Sequence, residues 1–210
     1  MEENLAILMA DLSGYTALTE IHGSFTAADL IDKYLNIVNQ SLVGDARLID
    51  RTGDAIMIIS KSPESLLATS LLLLKTACKE EYFLQLHGGI HFGKVLKRKE
   101  SYFGSPINLT SRIMDLAKPG TFWCSVDFVN MLNDKSFTTL HSVGKQSFKN
   151  VSSEKEVFEI RHDHSTRFFI DPVCRMLILD NKKAIKHSES EDIYFCSVDC
   201  HDIYINKELT

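Results

Sequence analysis

Residues 6–16, Ala-Ile-Leu-Met-Ala-Asp-Leu-Ser-Gly-Tyr-Thr, constrain the fold more than any other stretch of the chain. The apolar run Leu5-Ala6-Ile7-Leu8-Met9-Ala10 has the length and content of a buried strand. Asp11 ends it, and Ser13-Gly14-Tyr15-Thr16 reads as a turn into a helix whose free N–H groups point outward. A carboxylate beside a helix N-terminus suits a metal-bound polyphosphate: the acid holds the cation and the amides hold phosphate oxygens. The same pattern also describes an acid that caps a helix after a strand. This stretch alone leaves both readings open.

Further along, Leu30, Ile31, Tyr34, Leu35, Val38 and Leu42 recur at helical spacing within residues 27–43. Ala46–Ile49 and Ala55–Ile59 read as two strands of a hairpin around Arg51-Thr52-Gly53-Asp54, which places Asp54 at an exposed tip. Pro63 opens a helix expected to run to about Glu81. Leu84–Val95 is strand-like, and Gly88-Gly89 and Gly93 permit close backbone approach. A helix over Ile107–Leu116, a short strand at Thr121–Cys124, a short helix at Val126–Leu132 and two strands within residues 137–160 complete this part. The order β-α-β-β-α-β predicts a ferredoxin-like α+β core with added elements. The polar stretch at residues 162–167 divides an expected domain at 1–161 from a small one at 168–210, whose size calls for a metal staple.

Hydrophobic residues make up 44% and charged residues 24%, values ordinary for a soluble globular protein. The net charge of −5 argues against nucleic acid or an anionic membrane as partner, while a divalent cation would still admit an anionic nucleotide. No apolar stretch reaches membrane-span length, and residues 1–3 are unlike a secretory leader, so a cytoplasmic location is expected.

Asp11 and Asp54 sit at the ends of neighbouring strands in this reading and can hold one or two magnesium or manganese ions for phosphoryl transfer. Asn108 and Arg112 are four residues apart and share a helix face. The guanidinium can brace an α-phosphate, the amide can orient a ribose, and Lys155 can reach outer phosphates. A solvated helix stripe is the alternative for the Asn/Arg pair. In the family's order, the segments Asp11–Thr16, Gly53–Ala55, Gly89–Gly93, Phe103–Arg112 and Lys149–Phe158 resemble the class III adenylyl and guanylyl cyclase catalytic domain. The likeness covers roughly residues 4–161. It implies that Asp11, Asp54 and the Leu12 carbonyl bind metal, and that Asn108 and Arg112 form the transition-state pair. It further implies that Lys155 contacts the terminal phosphates, and that a homodimer builds each site from both chains.

Where the resembling family selects the base, this chain has Asp50 and Ser101 in place of the usual Lys with Asp or Thr, or Glu with Cys. Guanine presents N–H donors at N1 and N2 that suit the Asp50 carboxylate, and an O6 acceptor that suits the Ser101 hydroxyl. An ionised Asp50 would repel adenine N1, so the pair favours GTP over ATP.

Cys174, Cys196 and Cys200 cluster near the end, in a spacing that can surround zinc, copper(I) or another transition metal. His187, His201 or a water are candidates for a fourth ligand. Asp171-Pro172-Val173-Cys174-x-Met176 and Tyr194-Phe195-Cys196-Ser197-x-x-Cys200 resemble the YHS domain and its treble-clef relatives. Arg175 stands where that family usually has Gly. Together these readings predict a cyclase acting on a nucleoside triphosphate, with a metal-binding or sensing module. The alternative is a cyclase-like sensor without turnover.

Overall fold

In the computed structural model the described residues are 1–135, 138–149, 151, 153–161, 169–174, 176–178 and 182–208. The elements begin with β1 (Glu2–Leu12), α1 (Tyr15–Ser41), β2 (Arg47–Thr52), β3 (Ala55–Ser60), α2 (Pro63–Ala77) and β4 (Leu86–Arg98). They continue with β5 (Ser101–Phe103), α3 (Ser105–Leu116), β6 (Phe122–Ser125), α4 (Val126–Met131), β7 (Thr139–Gln146) and β8 (Lys155–Arg161). Four short strands follow, β9 (Phe169–Ile170), β10 (Leu177–Ile178), β11 (Ile185–Lys186) and β12 (Tyr194–Phe195), and then α5 (Val198–Glu208).

Residues 5–10 of β1 are apolar without interruption because both faces of the strand are covered there. Ala6, Leu8 and Ala10 join the core formed with α1 and α2, while Leu5 and Ile7 pack with Met57, Ile59, Val95 and Tyr102 on the other side. β3 and β4 flank it, both antiparallel, with Ala10 opposite Ile56 and Asp11 opposite His87. The main sheet runs β2-β3-β1-β4-β6-β8-β7, and β5 pairs with β4 off that path. Its first four strands with α1 and α2 give the expected ferredoxin-like arrangement.

α1 is longer than the periodicity predicts. It starts at Tyr15 and bends at Gly23, whose φ of 79° is not helical, so its first turns escape the apolar stripe that marks the rest. The helix stops at Ser41 because Leu42 is extended. α2 starts where predicted, with Ser62 Oγ accepting the Ser65 N–H at 3.1 Å ahead of Pro63. It ends at Ala77, four residues before the expected end, where Cys78 caps it by donating to the Leu74 carbonyl. β5 is an element that the sequence reading did not assign; three edge residues are too few to carry an alternation.

α3 covers the face opposite α1 and α2, where Leu109 and Ile113 pack with Trp123, Phe148 and Val157. It seats against β4 at Gly89, where a Cβ would run into the Thr110 carbonyl oxygen and the Met114 amide nitrogen of the helix backbone. Near the C-terminal end, β9-β10 and β11-β12 form two small antiparallel sheets ahead of α5, and Phe195 of β12 is fully buried against the rings of His187, His201 and Tyr204. The predicted strand end and helix start around Cys196 are found there. The expected linker at 162–167 and Arg175 lie outside the described residues.

Because the obstacle at Gly89 is backbone, neither partner has a rotamer that relieves it. Gly89→Ala is expected to destabilise the fold by about 3 kcal/mol, read as a lowered urea midpoint with an unchanged slope.

Candidate active site and candidate metal centre

Pairing of Ala10 with Ile56 brings the β2–β3 turn beside the end of β1. Gly53, at φ 64°, lets that turn close, and Asp54 follows it directly. The two acids therefore meet: the Asp54 and Asp11 carboxyls lie within hydrogen-bonding reach of each other. The Asp54 carboxyl is pushed up to about 6, first by burial and then by the Asp11 carboxylate, against the N–H groups of Asp54 and Leu12. Asp11 Oδ1 accepts the Leu12 N–H at 3.0 Å. Two half-buried carboxylates that resist joint ionisation, both hard oxygen donors, fit magnesium or manganese, whose charge would relieve their repulsion. Beneath them, Tyr34 is fully buried, and its hydroxyl has no hydrogen-bond partner among the described residues. Burial and then the charges of Asp11 and Asp54 hold that hydroxyl well above the ordinary tyrosine range. Periodicity had marked Tyr34 only as core; the signal available was a polar tip within an apolar stripe.

The turn after β1 is anchored to the strand end beside it. Ser13 donates its N–H to the Gln85 carbonyl at 2.8 Å, and its Oγ lies 2.9 Å from His87 Nδ1. His87, which the sequence reading passed over, is kept neutral first by burial, with Asp115 and Asp54 pulling the other way. Gly14 takes a left-handed φ of 92° at the N-cap, and no side chain caps the helix. Leu18 is the residue whose N–H bonds back to the Gly14 carbonyl, at 3.0 Å. That leaves the amides of Tyr15 and Thr16 in the unpaired first turn, open to an anion.

α3 presents Asn108 exposed and Arg112 half-buried, and neither side chain makes a hydrogen bond or ion pair among the described residues. Among the described residues, no side-chain hydrogen bond or ion pair joins either of them to Asp11 or Asp54. Lys155 opens β8, and its Nζ lies 3.1 Å from Asp127 Oδ2 at the start of α4. Asp50 and Ser101 are both exposed, on β2 and β5. The two strands are tied by Arg47, which donates from Nη2 to the Tyr102 hydroxyl at 2.9 Å. The Asp50 carboxylate accepts the Arg51 N–H at 2.9 Å.

A second group of donors forms at the far end of the chain. Cys174 Sγ and Cys196 Sγ are 3.4 Å apart, and Cys196 Sγ and Cys200 Sγ 3.8 Å. A tetrahedral site with Zn–S bonds of about 2.3 Å has S–S edges of about 3.8 Å, so the thiols are spaced for one such ion. Asp171 supplies the fourth donor within reach, all four ligand atoms lying within 4.8 Å of one another. The two histidines expected as candidate fourth ligands lie outside this group. His187 Nδ1 accepts the Glu189 N–H at 3.1 Å, its ring set edge-on to Tyr204. His201 Nδ1 lies 3.1 Å from Asp202 Oδ1. Asp171 is fully buried and accepts three N–H groups, from Val173 at 2.8 Å, Cys174 at 3.1 Å and Cys196 at 2.8 Å. Burial alone would raise its carboxyl, but those amides, led by that of Cys196, hold it below the usual range. The carboxylate thereby fixes the two turns that present the thiols. Burial, then Asp171, then the neighbouring thiols push Cys196 up to about 12, a load that a bound cation would reverse. This segment abuts the start of α2 across a cavity of about 580 Å³ lined by Glu64, Asn133, Cys174 and Met176.

Residues 1–162 match the model of the adenylate and guanylate cyclase catalytic domain. An uncharacterised protein of Mycobacterium tuberculosis is 34% identical over 126 residues, 60% of this chain and 33% of its own length. An adenylate cyclase of Glutamicibacter nicotianae is 30% identical over 134 residues, 63% of this chain and 33% of its own. The match thus spans about a third of these relatives. Among solved structures, the adenylyl cyclase CyaB of P. aeruginosa superposes with a TM-score of 0.68 at 16% identity, over 80% of this chain and 98% of that one. The guanylate cyclase domain of RhGC from Catenaria anguillulae, solved in complex with GTP, gives a TM-score of 0.65 at 14% identity, over 77% and 98%. By the extent of the family match, this chain belongs to the adenylate and guanylate cyclase catalytic domain family.

Proposed function

We propose that this protein is a nucleotidyl cyclase acting as a twofold homodimer. It converts a nucleoside triphosphate, GTP ahead of ATP, to the 3′,5′-cyclic monophosphate and pyrophosphate. The observation that carries this reading is the meeting of Asp11 and Asp54 at the end of the central strand, with the Asp54 carboxyl pushed up first by burial and then by Asp11. In this reading the two acids and the Leu12 carbonyl hold magnesium or manganese, which when bound neutralises phosphate charge and favours loss of the 3′-hydroxyl proton.

The chain's own groups do the rest. Ser13 and Gly14 shape the turn, and the amides of Tyr15 and Thr16 receive outer phosphate oxygens. Lys155 pairs with the same phosphates. Asn108 orients the ribose, and Arg112 takes the charge that develops on the α-phosphate. The 3′-oxygen bonds to the α-phosphorus in line, and its proton leaves to solvent. The bond from that phosphorus to the bridging oxygen breaks, and pyrophosphate departs. That the Asn108 and Arg112 side chains make no hydrogen bond or ion pair with the acid pair among the described residues supports a site shared between two copies.

Asp50 and Ser101 are read as the base-selecting pair. Their departure from the common pairs also favours a second reading, a cyclase-like dimer that senses a nucleotide without turnover. We further propose that residues 168–210 form a YHS-like, treble-clef module. In it Cys174, Cys196 and Cys200 hold zinc or another transition metal, with Asp171 bracing them, as a staple or a sensor.

Purified protein with manganese and each nucleotide is the direct test: cyclic product from GTP is expected, and no product from any nucleotide with a metal-loaded dimer refutes turnover. Asp54→Ala and Arg112→Ala should each lose at least about 100-fold in activity with the fold intact. Mixing the two inactive variants should restore about a quarter of wild-type activity, because half the dimers are mixed and each has one complete site. Failure to complement would exclude the shared site.

The acid pair also makes a pH prediction. A carboxyl raised from 3.8 to about 6 supports stability fully below the lower value and loses that support as pH rises through the upper one. Metal-free wild type should therefore lose melting temperature relative to Asp54→Asn between about pH 4 and about pH 7. Manganese at neutral pH should raise the wild-type melting temperature and leave Asp54→Asn unmoved. For the cysteine cluster, elemental analysis should find about one transition-metal ion per chain, lost in Cys196→Ser with cyclase activity measured alongside.

A further inference from the structure

We propose that Asp127 is a positioning residue for Lys155, parking its ammonium at the mouth of a cleft until a polyphosphate takes it over. The inference rests on the cyclase reading, in which Lys155 meets the terminal phosphates.

The pair closes one side of a cleft of about 380 Å³ whose other walls include His91, Ser105 and Leu109. Ser105 and Leu109 belong to α3, so the lysine hangs beside the helix that presents Asn108 and Arg112. Asp127 is itself anchored. Ser125 Oγ caps α4 by accepting the Phe128 N–H at 3.2 Å, and it lies 2.7 Å from His91 Nδ1. His91 is buried and kept neutral, its acidity raised to about 4 first by burial, with Asp127 opposing and Lys155 adding to the shift. Its Nδ1 stands 3.9 Å from Asp127 Oδ2, too far for a hydrogen bond. Lys155 is thus the cation that Asp127 holds directly, at 3.1 Å.

The Lys155 and Asp127 side chains keep 29% and 37% of their exposure, so the pair is a weak, water-screened one. A triphosphate or pyrophosphate, with several charges and oxygens, outcompetes a single carboxylate for the ammonium. Asp127 therefore both orders the free lysine and opposes the anion that claims it. Removing its charge should strengthen the grip on polyphosphate and slow release of pyrophosphate. An acid in the first turn of α4 that served only the helix would change stability and leave nucleotide affinity alone.

The test uses the full chain. Asp127→Asn should lower the nucleotide KM, and the inhibition constant for pyrophosphate, by about 3- to 10-fold while kcat stays level or falls. Asp127→Glu should behave as wild type, and Asp127→Asn should change neither constant in a Lys155→Ala background. Asp127→Ser gives the same readout should the Asn variant fail to fold. An active wild type whose constants are unmoved by loss of Asp127, or moved equally without Lys155, overturns the inference and leaves the cyclase reading standing. If the wild type binds nucleotide without turnover, calorimetric affinities for the nucleotide and pyrophosphate replace the kinetic constants. A wild type that neither binds nor turns over nucleotide overturns both.

Discussion

Each backbone hydrogen bond between β1 and β3 fixes where Asp54 lies relative to Asp11. The ladder from Ala6–Ser60 to Ala10–Ile56 runs without a bulge, so the hairpin tip arrives beside the strand end in a single register. A slip of one residue would turn every side chain of β1 to the opposite face, moving Ala6, Leu8 and Ala10 out of the main core. The burial of those positions holds the register. The acid pair inherits its geometry from apolar packing several residues away, and that packing offsets the cost of bringing two carboxyls together.

Both candidate ion sites share one electrostatic design. At the strand end, partial withdrawal from water and then the neighbouring Asp11 carboxyl make the Asp54 carboxyl slower to give up its proton. At the cysteine cluster, the Cys196 thiol is held protonated by burial and by the buried carboxylate of Asp171. In each case the protein concentrates groups that repel one another when ionised, and a cation removes the repulsion. Donor chemistry separates the two sites: oxygen for a hard ion at one, sulfur for a soft or borderline ion at the other.

Much of the fold could be read from the sequence because its signals are local. The apolar run of β1, the Gly53 turn and the Pro63 helix start each announce themselves within a few residues, and the meeting of Asp11 with Asp54 follows from two of them. Other features are visible only after folding. His87 comes beside Asp11 through strand pairing across 76 residues. Asp127 meets Lys155, and Asp171 meets Cys196, through contacts that no spacing encodes. α1 ran long because Ile21 and Phe25, flanking its bend, are exposed and carry no periodic stripe. β5 was missed because three edge residues leave no pattern to recognise.

The seating of α3 on Gly89 has a mechanical consequence. Where helix and strand touch backbone to backbone, no side chain between them can flex, so the helix cannot slide or roll without lifting from the sheet. Asn108 and Arg112 must then travel with β4 as parts of one stiff body. In the proposed dimer, any approach of those two side chains toward acids on another copy would then be a rotation of whole subunits about their shared boundary.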